Sequence, residues 1–296
     1  MSKEIRISKG LDIRLVGEAA HSITDAIKSN FYTLRPDDFH GVTPKLAVKV
    51  SAKLKAGESV FFDKSNEAIK FVTPVSGEIL EITRGEKRRI LEIKIKADKK
   101  ISFITHETPK LKTAQADEIK SLLLASGCWP FIKQRPYDVI AKPELQPKAI
   151  FISAHATAPL AVDYNFTLKE KEVELQAAVT ALSKLTGGPV HVGVSKASDS
   201  PFENLQDINI HKLSGPHPSG NVGTLINKID PINKGETVWT IAPQDLVIIG
   251  ELLLTGKFNA ERTIALVGSQ IEAPRYLKTR IGSEVATMIY DRGIQK

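Results

Sequence analysis

Between residues 45 and 97 apolar and polar side chains alternate, and turn residues recur about every ten positions, the pattern of short half-buried strands. Leu46, Val48 and Val50 alternate with Ala47 and Lys49, and Leu91, Ile93 and Ile95 alternate with Glu92, Lys94 and Lys96. A period of two places each apolar set on one face of a strand. The segments KAGESVFF (55–62) and VSGEILEI (75–82) both set a small residue, Gly and Glu ahead of a strand, with Gly57 and Gly77 equivalent. Two such hairpins facing each other bury both apolar faces in one small sandwich.

The period changes over residues 113–127, where Ile119, Leu122 and Leu123 against Asp117, Glu118 and Lys120 predict a helix, with Thr113 as N-cap and Gly127 as its stop. Residues 128–147 carry Pro130, Pro136, Pro143 and Pro147. Proline at that density excludes a helix or a central strand, so this is an ordered connector. From Ala149 the order becomes strand, helix, strand: AIFISA, then Leu175, Ala178, Val179, Leu182 and Leu185 on one helical face before Gly187–Gly188, then PVHVGV. INIHKL, TVWTIA, LVIIGELLL and RTIALVG continue the alternation, which favours an α/β domain with a largely parallel sheet. The last stretch, RTIALVG, YLKTRIG and SEVATMI, reads as two strands and the start of a helix. The pattern breaks off there, so a longer parent protein is expected.

The 296 residues suffice for about two domains with real cores. Cys128 is the sole cysteine and cannot form an internal disulfide or, alone, hold an iron–sulfur cluster or zinc, which fits a reducing compartment. The longest uncharged run, Leu213–Asn227, is rich in Gly, Ser, Pro and Asn. It falls short of the roughly 18 apolar residues of a spanning helix, and no membrane span is expected. The charged, alternating N-terminus carries no secretory signal. Net charge is +7, much of it local: residues 84–100 hold eight Lys and Arg against three acids. Because Lys94 and Lys96 alternate with Ile93 and Ile95, the patch reads as the solvated face of a strand, and no nucleic-acid module accompanies it.

A nucleotide site needs glycines between strand and helix so that backbone amides can approach phosphates. The loop after AIFISA contains none. GPHPSGNVGT (215–224) has phosphate-loop spacing but places Asn221 and Val222 where Lys and Ser or Thr would be required, which argues against a nucleoside triphosphate. The seven histidines show no metal spacing; His211 and His217 flank this loop and could meet in space. No nucleophile elbow is present, and neither a catalytic residue nor a metal site is assigned. In WPFIKQRPYDVI, Trp129, Phe131 and Tyr137 supply flat apolar walls while Lys133 and Arg135 supply donors, the mixture a quinone requires. From these, Trp129, Phe131 and Tyr137 are candidate quinone walls and Arg135 the candidate donor; packing between domains is the simpler use of the same residues. Asp63–Lys64, placed in the turn between the two hairpins, is similar to the lysine turn of lipoyl and biotinyl carrier domains, although the residues flanking that lysine match incompletely.

Seven ordered blocks resemble the family of A subunits of the sodium-translocating NADH:quinone oxidoreductases: ISKGLDIRLVG, KFVTPVSGEILEITRGEKRRILEIKI, SGCWPFIKQRP, AIFISAHATAPLA, LSGPHPSGNVGTLI, VWTIAPQDLVIIGELLLTG and RTIALVGSQIEAPRYLKTRIG. More weakly they resemble the C subunits of Rnf complexes and the flavin-binding NADH dehydrogenase subunit of complex I. The resemblance implies an α/β plus all-β chain: a barrel-sandwich, lipoyl-like β domain (1–100), a helix and Pro/aromatic connector (101–147), a Rossmann-like domain (148–260) and the start of a truncated β-grasp domain (261–296). It implies a peripheral subunit on the cytoplasmic side of the bacterial inner membrane, in a translocase that passes electrons from NADH to ubiquinone and exports sodium. Flavins, iron–sulfur centres and NADH then belong to other subunits of the complex, and ubiquinone is the candidate ligand here. The chain has neither the glycine-rich phosphate loops nor the cluster cysteines of those relatives, so it reads as a cofactor-free descendant in which His155, Thr157, Gly215, His217, Gly220 and Gly223 occupy former cofactor loops. The alternatives are a carrier modified on Lys64 and a purely structural docking subunit.

Overall fold

The computed structural model describes residues 3–290, which form four sheets and six helices longer than a single 3-10 turn. Residues 31–97 build the expected sandwich. One sheet orders Phe31–Leu34, Ile90–Ala97, Gly77–Arg84 and Lys53–Leu54; the other orders Pro44–Leu46, Ser59–Asp63 and Asn66–Val72. The two Gly-Glu segments start strands in opposite sheets, and Val60, Phe61, Phe71, Ile79, Ile93 and Ile95 fill the space between. Phe61 and Phe71 stack at 4.4 Å between centroids. Leu91 departs from the expected alternation. The pairing of Gly77–Arg84 with Ile90–Ala97 shifts register near Thr83 and Arg84, so Ile90 turns inward and Leu91 outward. Lys64 lies at the tip within one hairpin, between Ser59–Asp63 and Asn66–Val72, rather than between two hairpins.

The largest sheet orders Lys3–Arg6, Asn209–Ser214, Val190–Ser195, Ile150–Ser153, Val238–Thr240, Lys133–Arg135 and Val139–Ile140. Its first five strands run parallel, and the last two form an antiparallel hairpin at one edge. Strands of a parallel sheet read as continuous apolar runs because both faces are covered. Ile150 and Ile152 share a core with the helices Glu172–Ser183 and Pro243–Thr255, while Phe151 joins Leu225 and Ile226 of helix Val222–Ile229 on the other face. The two longer helices cross so closely that a Cβ on Gly250 would collide with the Glu174 carbonyl oxygen. LVIIGELLL is therefore helix, started by Pro243 in its first turn and stopped by Gly256 at φ +72°.

Two segments pair outside the ranges expected for them. Residues 3–25 lie apart from the sandwich: Lys3–Arg6 pairs with Asn209–Ser214, and Ala20–Asp25 pairs with Arg275–Arg280 in a three-stranded sheet completed by Glu261–Leu266. The connector likewise contributes its hairpin to the α/β sheet. Both are long-range pairings that local patterning does not encode. The helix expected over 113–127 spans Ala116–Ala125 with Gln115, not Thr113, at its N-cap; Glu118 reaches back to accept from the Gln115 amide at 2.7 Å. No helix among the described residues is long and apolar enough to cross a membrane.

Candidate functional site

From Ile150–Ser153 the chain proceeds outward through Val190–Ser195 to Asn209–Ser214, then returns to the opposite side of Ile150–Ser153 as Val238–Thr240. Strand order reverses there, so the loops leaving the carboxyl ends of Ile150–Ser153 and Val238–Thr240 diverge and open a crevice, the usual ligand position in open α/β sheets. A cavity of about 850 Å³ occupies it. Apolar walls come from Phe131, Ala156, Ala161, Val162, Val222 and Ile241, and the first turns of helices Val222–Ile229 and Pro243–Thr255 border it.

The loops expected to be former cofactor loops meet at this crevice. Thr157 Oγ1 accepts from the Gly220 amide at 3.0 Å and contacts His217 Nδ1 at 3.1 Å, while Ser153 Oγ donates to the Gly220 carbonyl at 2.7 Å. Gly220 has to be glycine, since a Cβ would strike the His155 carbonyl oxygen. The Gly220 amide, which a phosphate loop would offer to its ligand, is thus occupied by Thr157. Gly215, at φ +111°, packs against the Ile7 carbonyl, and the His217 carbonyl accepts from the Leu11 amide at 3.0 Å. Gly223 is different: apart from its chain neighbours and the backbone of its own helix, no heavy atom lies within 4 Å of the position its Cβ would take, and it lines the cavity. Burial lowers the pKa of His155, whose Nε2 lies 3.4 Å from Ser219 Oγ.

Alternation along Lys133–Arg135 decides what the connector contributes. Lys133 and Arg135 point to the cavity, while Gln134 turns inward and accepts from the Lys142 amide at 3.3 Å. Arg135 pairs with Asp138 at 3.3 Å, and its buried Nε has no partner among the described residues. Lys133 Nζ lies 5.5 Å from the centroid of the Phe39 ring, and desolvation lowers its pKa despite the opposing pull of Asp138 and Asp245. Asp245, deeply buried in the first helical turn, pairs with Arg262; burial still raises its pKa, as it does that of Tyr164 on the same cavity wall.

The candidate quinone residues are therefore divided. Phe131 and Arg135 line the crevice. Trp129 does not: it is fully buried, its Nε1 donates to the Ala141 carbonyl at 2.7 Å, and its ring meets Trp239 edge-on at 5.5 Å. Tyr137 stands 76% exposed at the turn after Arg135 and faces solvent. His211 does not meet His217. It is buried beside His191, Nε2 to Nδ1 at 2.9 Å, because both project from adjacent strands onto one face of the sheet. Sequence reasoning misses Asp245 and Tyr164. Pro243 followed by an acid in the first turn is the helix-start signal that could draw attention to Asp245; Tyr164 carries no such mark. On the far side of loop 154–163 a second cavity of about 630 Å³ is bordered by residues 12–21, Asp163 and Tyr276.

Comparison with known proteins agrees with this architecture. Residues 5–98 match the model of the NqrA N-terminal barrel-sandwich hybrid domain, and residues 114–258 match that of the NqrA second alpha/beta domain. A relative from Neisseria meningitidis serogroup B is 36% identical over 284 residues, covering 95% of this chain and 64% of its own length. One from Haemophilus influenzae is 35% identical over 287 residues, covering 96% and 64% respectively. Both are named as the A subunit of Na(+)-translocating NADH-quinone reductase. The chain thus spans 64% of the length of these relatives and carries two consecutive domains of their family. With both domains in order and this identity across nearly its whole length, the chain belongs to the NqrA family.

Proposed function

We propose that this chain is a peripheral subunit of a sodium-translocating NADH:quinone oxidoreductase, on the cytoplasmic side of the bacterial inner membrane, and that its switch-point crevice holds the head group of ubiquinone. In this reading the α/β domain is Rossmann-like, residues 261–290 with strand Ala20–Asp25 begin a β-grasp domain, and electron transfer and sodium export are carried out by the assembled complex. The observation that carries it is the cavity itself: a space of about 850 Å³ with Phe131 on its apolar wall and two cationic side chains of the connector hairpin turned into it. The occupied Gly220 amide supports a chain without its own flavin, since the loops that would cradle a phosphate are closed on each other.

Calorimetric titration with short-tailed ubiquinone tests this reading. Saturable binding by the wild-type chain, abolished by Gly223→Leu, is the expected result, because a side chain at Gly223 enters open cavity without disturbing the fold. Binding heat from the variant equal to that of wild type, or FMN co-purifying with the chain, would refute it. A docking role has its own support. Leu11, Ile13, Leu15 and Val16 are 55–73% exposed in one irregular segment pinned at both ends, where the Leu11 amide donates to the His217 carbonyl and the Gly268 amide to the Gly17 carbonyl. A carrier role for Lys64 predicts added mass on that residue, which intact-mass measurement reads directly.

A further inference from the structure

The crevice holds two cations, and they are not equivalent. Arg135 is held by Asp138 at 3.3 Å, and in the strand register it stands opposite Val238, toward the amino end of that neighbour. Lys133 stands opposite Thr240, at the carboxyl end where the cavity opens, and no ion pair or side-chain hydrogen bond among the described residues engages its ammonium. Asp245, the deeply buried acid on the same wall, is already committed to Arg262. A partly desolvated ammonium beside a ring, without an acceptor from the protein, is free to donate to a ligand.

We propose that Lys133, rather than Arg135, is the binding residue that receives the ligand of the crevice, and that the site selects planar rings bearing a negatively charged or strongly polarised oxygen. Quinone carbonyls and ring carboxylates both satisfy that description. The assignment to quinone rests on the function proposed above; the assignment to Lys133 does not. The ammonium lies over the ring of Phe39, from the sandwich, at 5.5 Å to its centroid. The charged and titratable groups around it are Asp138 from the hairpin turn, Asp245 from helix Pro243–Thr255, Arg135 on its own strand, and Tyr164 and His155 from the segment across the cavity.

The test titrates the wild-type chain, Lys133→Met, Lys133→Arg and Arg135→Ala with two probes, short-tailed ubiquinone and benzoate, between pH 7 and pH 9.5. Methionine keeps the apolar stem and the packing on Phe39, so loss of binding reports the charge. Lys133→Met should weaken binding at least about tenfold, the effect of one charged hydrogen bond, and Lys133→Arg should restore most of it. Arg135→Ala should weaken binding less than Lys133→Met; the reverse order would overturn the inference. Wild-type affinity should also fall as pH rises, beginning below the ordinary lysine range because burial lowers the Lys133 pKa, and the profile should be flat in Lys133→Met. Wild-type-like binding and pH profile in Lys133→Met would overturn the inference while leaving quinone binding intact. Lys133-dependent binding of benzoate with no binding of ubiquinone would uphold it and refute the quinone reading. Binding of neither probe by the wild-type chain would refute both.

Discussion

Near the amino end of the α/β sheet, His191 and His211 satisfy each other, whereas at the carboxyl end Lys133 and Asp245 surround a cavity. His211 Nδ1 accepts from the Lys3 amide at 3.2 Å, so its Nε2 carries the proton and donates to His191 Nδ1 at 2.9 Å. Phe151 packs on the His191 ring at 4.8 Å. Both ring nitrogens of His211 are thus answered within the protein, and the pair serves to tie strands together. The Lys133 ammonium, at the crevice, has no such acceptor among the described residues. The same sheet thus separates polar groups that fix its strands from polar groups that line a cavity, and the dividing feature is the reversal of strand order rather than residue type.

Substitutions on either side of this divide should differ in size and kind. The largest effect is expected from Trp129→Ala, which leaves a cavity against Trp239 and an unpaired Ala141 carbonyl: a loss of about 3–5 kcal/mol in urea unfolding. His211→Leu should cost about 1–3 kcal/mol, because it strands His191 Nδ1 and the Lys3 amide; changing both histidines to leucine should recover part of that loss. Both histidines are held down to a pKa of about 4 by burial, against 6.5 when unfolded. The unfolded chain therefore takes up protons first as pH falls, so stability should hold above about pH 6.5, decline between pH 6.5 and pH 4, and decline less steeply in the double-leucine variant. Burial pushes the Cys128 thiol up to about 12, and alkylation of the native chain should proceed only as fast as it unfolds. Tyr137→Ala should change stability by no more than about 0.5 kcal/mol and leave ubiquinone affinity unaltered, since the side chain is in solvent.

Local patterning makes the sandwich strands, helix Glu172–Ser183 and the apolar central strands legible, because each buries a face whose period is written in consecutive residues. It does not reach Lys3–Arg6 and Ala20–Asp25, whose partners lie more than 200 residues away. The connector's mixture of aromatic walls and donors is plain in sequence, but which of its residues face the crevice depends on the register with Val238–Thr240. Trp129, in the 3-10 turn before that strand, goes to the core, and Tyr137, in the turn after it, stands in solvent. The glycine loop is legible as a departure from a phosphate loop; its closure by Thr157 is not, since Thr157 and Gly220 meet only through the parallel sheet.

A crystal structure of the chain soaked with short-tailed ubiquinone would decide whether the crevice is the ligand site. Ring density is expected between Phe131 and loop 154–163, with an oxygen within hydrogen-bonding distance of Lys133. Density for the ring in the second cavity, beside residues 12–21 and Tyr276, with the switch-point crevice holding only water, would contradict it.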